Sequence, residues 1–190
     1  ISRKGSVKEG NTVGDSAAEA RSRQMSVEIS LGTTLVEDTQ LTFIDCPGSI
    51  EFSQETYNAL MGVDAAIIVC EPIVDRVLTL SPLFKFLDDW EIPHLVFVNK
   101  MDRAGADYLK VVKQLRERLG ANAVPLQMTI GAEEDFKGVV DLVKNKAILW
   151  NEADQGMTFV YADVPVDMLE QVAEMREFLM EAAAEANDEF

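Results

Sequence analysis

The stretch that decides the fold is Leu95-Val96-Phe97-Val98-Asn99-Lys100-Met101-Asp102, an apolar run followed directly by a polar turn. A short apolar run of this kind is typical of a buried strand in a parallel sheet. Open α/β sheets bind their ligands at the carboxyl ends of such strands. The motif Asn99-Lys100-Met101-Asp102 is therefore predicted to lie at a binding edge of the sheet.

The residue types in this motif suit recognition of guanine. The Asp102 carboxylate has the geometry to accept hydrogen bonds from guanine N1–H and the 2-amino group, a bidentate and charge-assisted pair. Adenine has no donor at either position and would leave the carboxylate unpaired. Lys100 can lay its methylene stem along the base, and Asn99 can tie neighbouring loops together. The alternative for the motif alone is a solvated turn after a strand.

A second motif, Asp45-Cys46-Pro47-Gly48, also follows an apolar strand, Leu41-Thr42-Phe43-Ile44. An aspartate in this position can hold Mg²⁺ through water, because magnesium keeps part of its hydration shell. The glycine lets a backbone N–H approach a terminal phosphate. A simple Pro-Gly turn is the alternative. The order of the two motifs along the chain favours a GTP-binding protein.

Composition narrows the class of partner. The chain has 190 residues, with 33 acidic and 17 basic side chains and a net charge of −16. This balance argues against direct binding of nucleic acid through its phosphates. No apolar run reaches about 18 residues, so no membrane span is expected. Cys46 and Cys70 are expected to be reduced thiols, and no Cys/His spacing predicts a zinc site.

Strands alternate with helices through residues 26–120, which predicts a mainly parallel sheet covered by helices. Residues 1–25 are predicted to be a mobile loop. The strands and helices expected next are a hairpin of Ser26–Val36 with Leu41–Ile44, then a helix 53–61, a strand 65–70, a helix 77–90 and a helix 108–119. After Pro125 the pattern changes to short strands and a final helix to about Asn187, whose acidic face is read as a solvated surface.

These residues resemble the G domain of bacterial elongation factor G. The similar stretches are Asp45–Phe52, Asn99–Arg103, Gly120–Gln127, Ile130–Glu133, Gly138–Leu142 and Glu181–Glu185. The resemblance implies an α/β P-loop GTPase fold, with a partial GTP-binding domain at 1–124 that contains switch I and switch II. It also implies an inserted α+β subdomain at 125–190. The implied activity is cytoplasmic, ribosome-dependent GTP hydrolysis that drives translocation of tRNA and mRNA, with GTP/GDP and Mg²⁺ as ligands.

The resemblance assigns roles to individual residues. Ser26, at the end of switch I, and Asp45 are the implied magnesium ligands. Ser49 stands where the family has a histidine that positions the attacking water. The implied GTP-binding residues are Asp45, Cys46, Pro47, Gly48, Ser49, Asn99, Lys100, Met101 and Asp102.

The chain departs from the family pattern at three places. No Gly-x-x-x-x-Gly-Lys-[Ser/Thr] loop occurs in it, so this loop and the first strand are expected upstream of Ile1, and a Ser-Ala loop downstream of Phe190. The fragment alone is therefore expected to be inactive. Ser49 predicts weakened hydrolysis, since serine is shorter than histidine and cannot carry its charge. Gln24 replaces a switch I glycine. The alternative function is a nucleotide-gated, non-hydrolysing ribosome recycling or protection factor.

Overall fold

The computed structural model describes residues 5–154 and 156–186. The chain divides into two compact units. The first unit comprises Ile1–Ala66 and Phe86–His94, and the second comprises Ile67–Lys85 and Leu95–Phe190. Among the described helices, none has the length and apolar character needed to cross a lipid bilayer.

The first unit is built around a β-hairpin. Strand β1 (Ser30–Val36) pairs antiparallel with β2 (Thr39–Asp45), in a register that sets Ser30 opposite Asp45. A short 3₁₀ turn and helix α2 (Ser53–Leu60) follow. The predicted hairpin and helix are confirmed, although β1 begins at Ser30 rather than Ser26.

The prediction of a loop over residues 1–25 is wrong for helix α1 (Ala18–Arg23). The segment contains good helix formers, and Glu19 pairs with Arg23 at 2.9 Å, one helical turn away. The helix ends at Gln24, whose φ of 53° lies in the left-handed region. Glycine adopts this conformation without a steric cost, so the glutamine at this position carries backbone strain.

Strands β3 (Ala66–Cys70) and β4 (His94–Val98) form a two-stranded sheet. The Ala66 N–H donates to the Pro93 carbonyl at 2.9 Å, and the Asn99 N–H donates to the Cys70 carbonyl at 2.8 Å. Because the residue numbers rise together along both strands, the pair is parallel. The carboxyl ends of β3 and β4 therefore lie side by side, as the sequence predicts for a ligand-binding edge.

The prediction that Leu95–Val98 is buried holds for one face of the strand only. Val96 and Val98 are half-buried, whereas Leu95 is 57% exposed and Phe97 is 54% exposed. Successive side chains in a strand point to opposite faces. One face of β4 therefore packs more closely than the other, on which Leu95 and Phe97 remain more than half exposed.

The helix predicted over residues 77–90 is divided into pieces. Helix α3 (Val74–Val77) passes into a 3₁₀ turn before α4 (Ser81–Asp89). Pro82 explains the new start, since proline lacks an N–H and is tolerated in the first helical turn. Helix α5 (Tyr108–Leu119) is confirmed, and Gly120 ends it with a φ of 66°.

The rest of the second unit is an antiparallel meander of four strands. These are β5 (Gln127–Ile130), β6 (Gly138–Asp141), β7 (Lys146–Trp150) and β8 (Phe159–Ala162). The sheet packs against the last helix, α6 (Leu169–Ala186), through a buried core of Met128, Val140, Leu142 and Val172. The predicted end of this helix at Asn187 lies outside the described residues. A domain boundary at residue 125 stays a prediction.

Candidate functional site

Asp45 ends strand β2 in a crowded, partly polar setting within the first unit. Ser30 is its register partner on β1. Gly14 lies so close that an added Cβ would be 2.6 Å from the Ser30 hydroxyl oxygen and 3.7 Å from Asp45 Oδ2. Partial burial raises the pKa of Asp45, and the negative charge of Asp15 raises that pKa further. The site therefore places carboxylate charge where a cation would be favourable.

The donors around Asp45 fit Mg²⁺ held mainly through water. Carboxylate and hydroxyl oxygens are the ligands this ion prefers, and it keeps several waters when one carboxylate binds it. In the described part of the chain, no group of three or more His, Cys, Asp or Glu side chains is placed to hold a metal ion. The hydroxyl beside Asp45 belongs to Ser30, whereas the predicted ligand Ser26 lies earlier, in the loop between α1 and β1.

The turn after Asp45 is anchored from helix α2. The Thr56 hydroxyl donates to the carbonyl of the buried Pro47 at 3.2 Å. The backbone carbonyl of Ser49 accepts from the Phe52 N–H at 3.0 Å. A Cβ added at Gly48 would meet no atom within 4 Å. Burial raises the pKa of the Cys46 thiol, and the charge of Asp45 adds to the rise. The turn therefore presents an open glycine backbone on a fixed support, as phosphate binding requires.

Arg23 connects helix α1 to the segment that follows this turn. Its guanidinium lies 3.5 Å from the Glu51 carboxylate and 6.0 Å from the centre of the Phe52 ring. Arg23, which precedes the loop that carries Ser26, therefore contacts the segment just after Ser49. The sequence did not predict this contact, because charge and ring pairing between separate segments leaves no local pattern.

The Asn99-Lys100-Met101-Asp102 motif follows β4 directly in the second unit. The Asn99 side-chain oxygen accepts from the Lys100 N–H at 2.9 Å, which tightens the start of the loop. Lys100 has a φ of 59°, in the left-handed region. Met101 is buried, with 6% of its surface exposed, and therefore anchors the loop.

Asp102 is exposed, and the described residues provide no hydrogen-bond or ion-pair partner for its carboxylate. The basic residues beside it point elsewhere. Lys100 Nζ lies 2.7 Å from Glu71 Oε1, and Arg103 Nη1 lies 2.9 Å from the same oxygen. Asp102 is thus left open to accept hydrogen bonds from a ligand.

Glu133 braces the same loop from the far end of β5. Its N–H donates to the Met101 carbonyl at 2.9 Å, and its carboxylate accepts from the Gly105 N–H at 2.6 Å. The resemblance marked the stretch Ile130–Glu133 but assigned no role to the glutamate. A single glycine, Gly131, two residues before an acidic residue was the available signal, and it does not say which loop the carboxylate reaches.

Asp107 begins helix α5 and fixes the exit from the motif loop. Its carboxylate accepts from the Lys110 N–H at 3.0 Å, an N-cap that satisfies a free donor of the first helical turn. This backbone hydrogen bond and the Lys110 side chain lower the pKa of Asp107.

Asp107→Ala is expected to lower the free energy of unfolding by about 1 kcal/mol at neutral pH, the usual cost of losing an N-cap. Because the native pKa is lowered, the cap's contribution is present above the unfolded-state pKa and is lost as pH falls through the native pKa. Urea unfolding of both proteins at several pH values measures this difference. Equal stabilities at pH 7 would contradict the assignment of Asp107 as a cap.

The hairpin and the parallel strand pair with its helices define an α/β fold, and its likeness to known proteins places this fold in the translational GTPase class. The family model for the elongation factor Tu GTP binding domain matches residues 1–187. The chain therefore belongs to the elongation factor Tu GTP binding domain family.

Two individual proteins illustrate the likeness. An elongation factor G-like protein of Synechocystis sp. (strain ATCC 27184 / PCC 6803 / Kazusa) is 46% identical over 188 residues, 99% of this chain and 28% of that protein. A crystal structure of a Thermus thermophilus protein superposes with a TM-score of 0.85 at 25% identity, over 98% of this chain and 27% of that one. The chain thus spans little more than a quarter of the length of these relatives.

Proposed function

We propose that this chain is the guanine-recognising part of an elongation factor G-like translational GTPase. One observation carries the proposal: the carboxylate of Asp102 is exposed and unpaired among the described residues, on a braced loop at the carboxyl end of β4. A free carboxylate at that edge suits the two adjacent donors of guanine. Family membership and the likeness to an elongation factor G-like protein support the same function.

The chain's own residues supply three parts of the chemistry. Asp102 reads the base, with Asn99 and the buried Met101 holding the loop in place. Gly48 has open space where a side chain would stand, so a terminal phosphate can approach its backbone N–H closely. Asp45 would hold Mg²⁺ through its water shell, with Ser26 as the second ligand that the family pattern implies and Ser30 as the hydroxyl that the structure places beside Asp45. The ion would neutralise phosphate charge.

Ser49 favours a second candidate function, in which the protein hydrolyses GTP only slowly. Its side chain is short and neutral at the position where the family carries a histidine, so it is a poor group for positioning the attacking water. A protein that binds GTP on the ribosome and hydrolyses it slowly would serve as a nucleotide-gated recycling or protection factor. The rate of ribosome-stimulated hydrolysis separates this function from translocation.

The proposed partner is the ribosome, in the cytoplasm. The net charge of −16 disfavours direct contact with RNA phosphates, so the chain's surface is expected to meet ribosomal protein rather than RNA.

A titration of the complete gene product with fluorescent guanine and adenine nucleotides tests the proposal. We expect GDP and GTP to bind with preference over ADP and ATP, and Mg²⁺ to strengthen GTP binding. Asp45→Asn is expected to reduce the Mg²⁺-dependent gain about tenfold, since a charged ligand to the ion is lost.

Asp45→Asn also has an effect that needs no nucleotide. Because the native pKa of Asp45 is raised, its ionised form opposes folding at neutral pH, so the amide is expected to raise the apo melting temperature slightly. Exposure and screening limit the rise to about 1–2 °C. Asp38→Asn, in the exposed β1–β2 turn, is the matched control.

In the nucleotide titration, equal affinity for guanine and adenine nucleotides would overturn the proposed function.

A further inference from the structure

Glu71 is the centre of a charge cluster at the carboxyl end of β3. Its Oε1 accepts hydrogen bonds from Lys100 at 2.7 Å and from Arg103 at 2.9 Å. Its Oε2 lies 2.9 Å from Arg76 Nη1, close enough for an ion pair but not aligned as a hydrogen bond. The Glu71 side chain is only 17% exposed, and these contacts, led by the hydrogen bond from Lys100, lower the pKa of Glu71. We call Glu71, Arg76, Lys100 and Arg103 the Glu71 cluster.

The geometry of the sheet explains why Glu71 reaches this loop. Cys70 and Val98 end the parallel strands β3 and β4, and the Asn99 N–H donates to the Cys70 carbonyl. The first residue after β3 therefore stands beside the first residues of the motif loop. A partly shielded carboxylate at this point attracts cations more strongly than a fully solvated one.

Two cations of the Glu71 cluster are close neighbours of Asp102 along the chain. Lys100 and Arg103 lie on the same turn as Asp102, closed by a hydrogen bond from the Arg103 N–H to the Lys100 carbonyl at 3.1 Å. Without a competing carboxylate, long basic side chains on this turn would pair with Asp102. Such a pair would occupy the lone pairs that guanine needs, so the base would have to displace it.

We propose that Glu71 is a positioning residue for guanine recognition, which draws Lys100 and Arg103 away from Asp102 and so keeps the base-reading carboxylate free. This inference rests on the proposed function and extends it to a residue outside both motifs. It also gives the basic residues of the loop a defined place when no nucleotide is bound. The base then meets a carboxylate that is already open.

The test is a double-mutant cycle on GDP affinity in the complete gene product. Glu71→Gln keeps the shape but removes the charge, and is expected to weaken GDP binding about 3- to 10-fold at low ionic strength. The loss is expected to shrink as salt screens the released cations. Arg103→Gln alone is expected to change affinity little, because Glu71 already holds Arg103 away from Asp102.

The double variant Glu71→Gln/Arg103→Gln is expected to recover part of the lost affinity, since the competing guanidinium is gone while the Lys100 ammonium remains. A merely structural role for Glu71 would predict no such recovery. Glu117→Gln is the matched control, because Glu117 pairs only with Lys113 on the exposed surface of α5 among the described residues. Circular dichroism confirms that each variant is folded.

A readout without nucleotide separates the inference from the proposed function. Carbon-13 NMR titration of Glu71 is expected to give a lowered pKa that rises in Arg103→Gln. If the wild type binds GDP and Glu71→Gln binds it with the same affinity, the inference alone is overturned. A double variant that binds GDP as weakly as Glu71→Gln would overturn it as well. A wild-type protein without guanine preference would overturn the proposed function, while the Glu71 titration would still show whether the cluster forms.

Discussion

Asp102→Asn is expected to weaken GDP binding by about 10²- to 10⁴-fold. Each hydrogen bond from guanine to the carboxylate is charge-assisted and contributes about 1.5–3 kcal/mol, so losing the charge and one acceptor removes most of the base recognition. The asparagine amide group would also meet the 2-amino group of guanine donor to donor. The phosphate contacts cannot compensate for the affinity lost in the base contact, because they do not depend on the identity of the base.

Xanthine nucleotides provide the complementary half of this prediction. Xanthine carries a carbonyl where guanine has its 2-amino group, and asparagine can donate to that carbonyl while accepting from N1–H. We therefore expect Asp102→Asn to prefer XDP over GDP, reversing the preference of the wild type. Competition titrations with GDP, XDP and ADP on both proteins measure the reversal.

Asp38→Asn is the control for the chemistry of the substitution. Asp38 lies in the exposed turn between β1 and β2, so its change to an amide should leave all three affinities unaltered. If Asp102→Asn bound GDP as tightly as the wild type, Asp102 would not be the residue that reads the base.

Ser49→His is expected to raise ribosome-stimulated GTP hydrolysis by about 10²- to 10³-fold, within the range that a positioned acid–base or orienting side chain contributes. Imidazole extends further from the backbone than a hydroxyl and can carry a proton near neutral pH. Ser49 has a φ of −81° and a ψ of 138°, an extended conformation that histidine adopts without strain. The backbone contact to Phe52 does not involve the side chain and is retained.

Single-turnover hydrolysis on ribosomes, with wild type and Ser49→His side by side, measures this effect. Ser53→His at the start of α2 is the matched control, since it adds the same imidazole to the next turn of the same segment. Its rate is expected to stay at the wild-type level. Fast hydrolysis in both the wild type and Ser49→His would show that Ser49 does not limit the reaction.

Several parts of the fold were predictable because they depend on neighbouring residues. Alternating apolar residues around Glu37-Asp38 predicted the hairpin, and the 3.6-residue pattern with Gly120 behind it predicted helix α5 over its observed range. The failures were also local in origin. Helix α1 was missed because a short helix among glycine and serine residues shows little periodicity. The apolar spacing predicted one helix over residues 77–90, whereas α4 begins anew at Ser81 with Pro82 in its first turn.

By itself, the sequence determined which residues are proposed to carry the chemistry: Asp102 for the base, Gly48 for the terminal phosphate, and Ser49 where the family has a histidine. The tertiary structure alone decided what surrounds them. Ser30 stands opposite Asp45, Glu133 braces the motif loop, and Glu71 holds Lys100 and Arg103. The physical reason is that a motif is a run of adjacent residues, whereas an ion pair forms between whichever strand ends the sheet brings together. The Asn-Lys-Met-Asp stretch predicts guanine as its ligand from sequence, whereas only the pairing of β3 with β4 brings Glu71 beside Lys100 and Arg103.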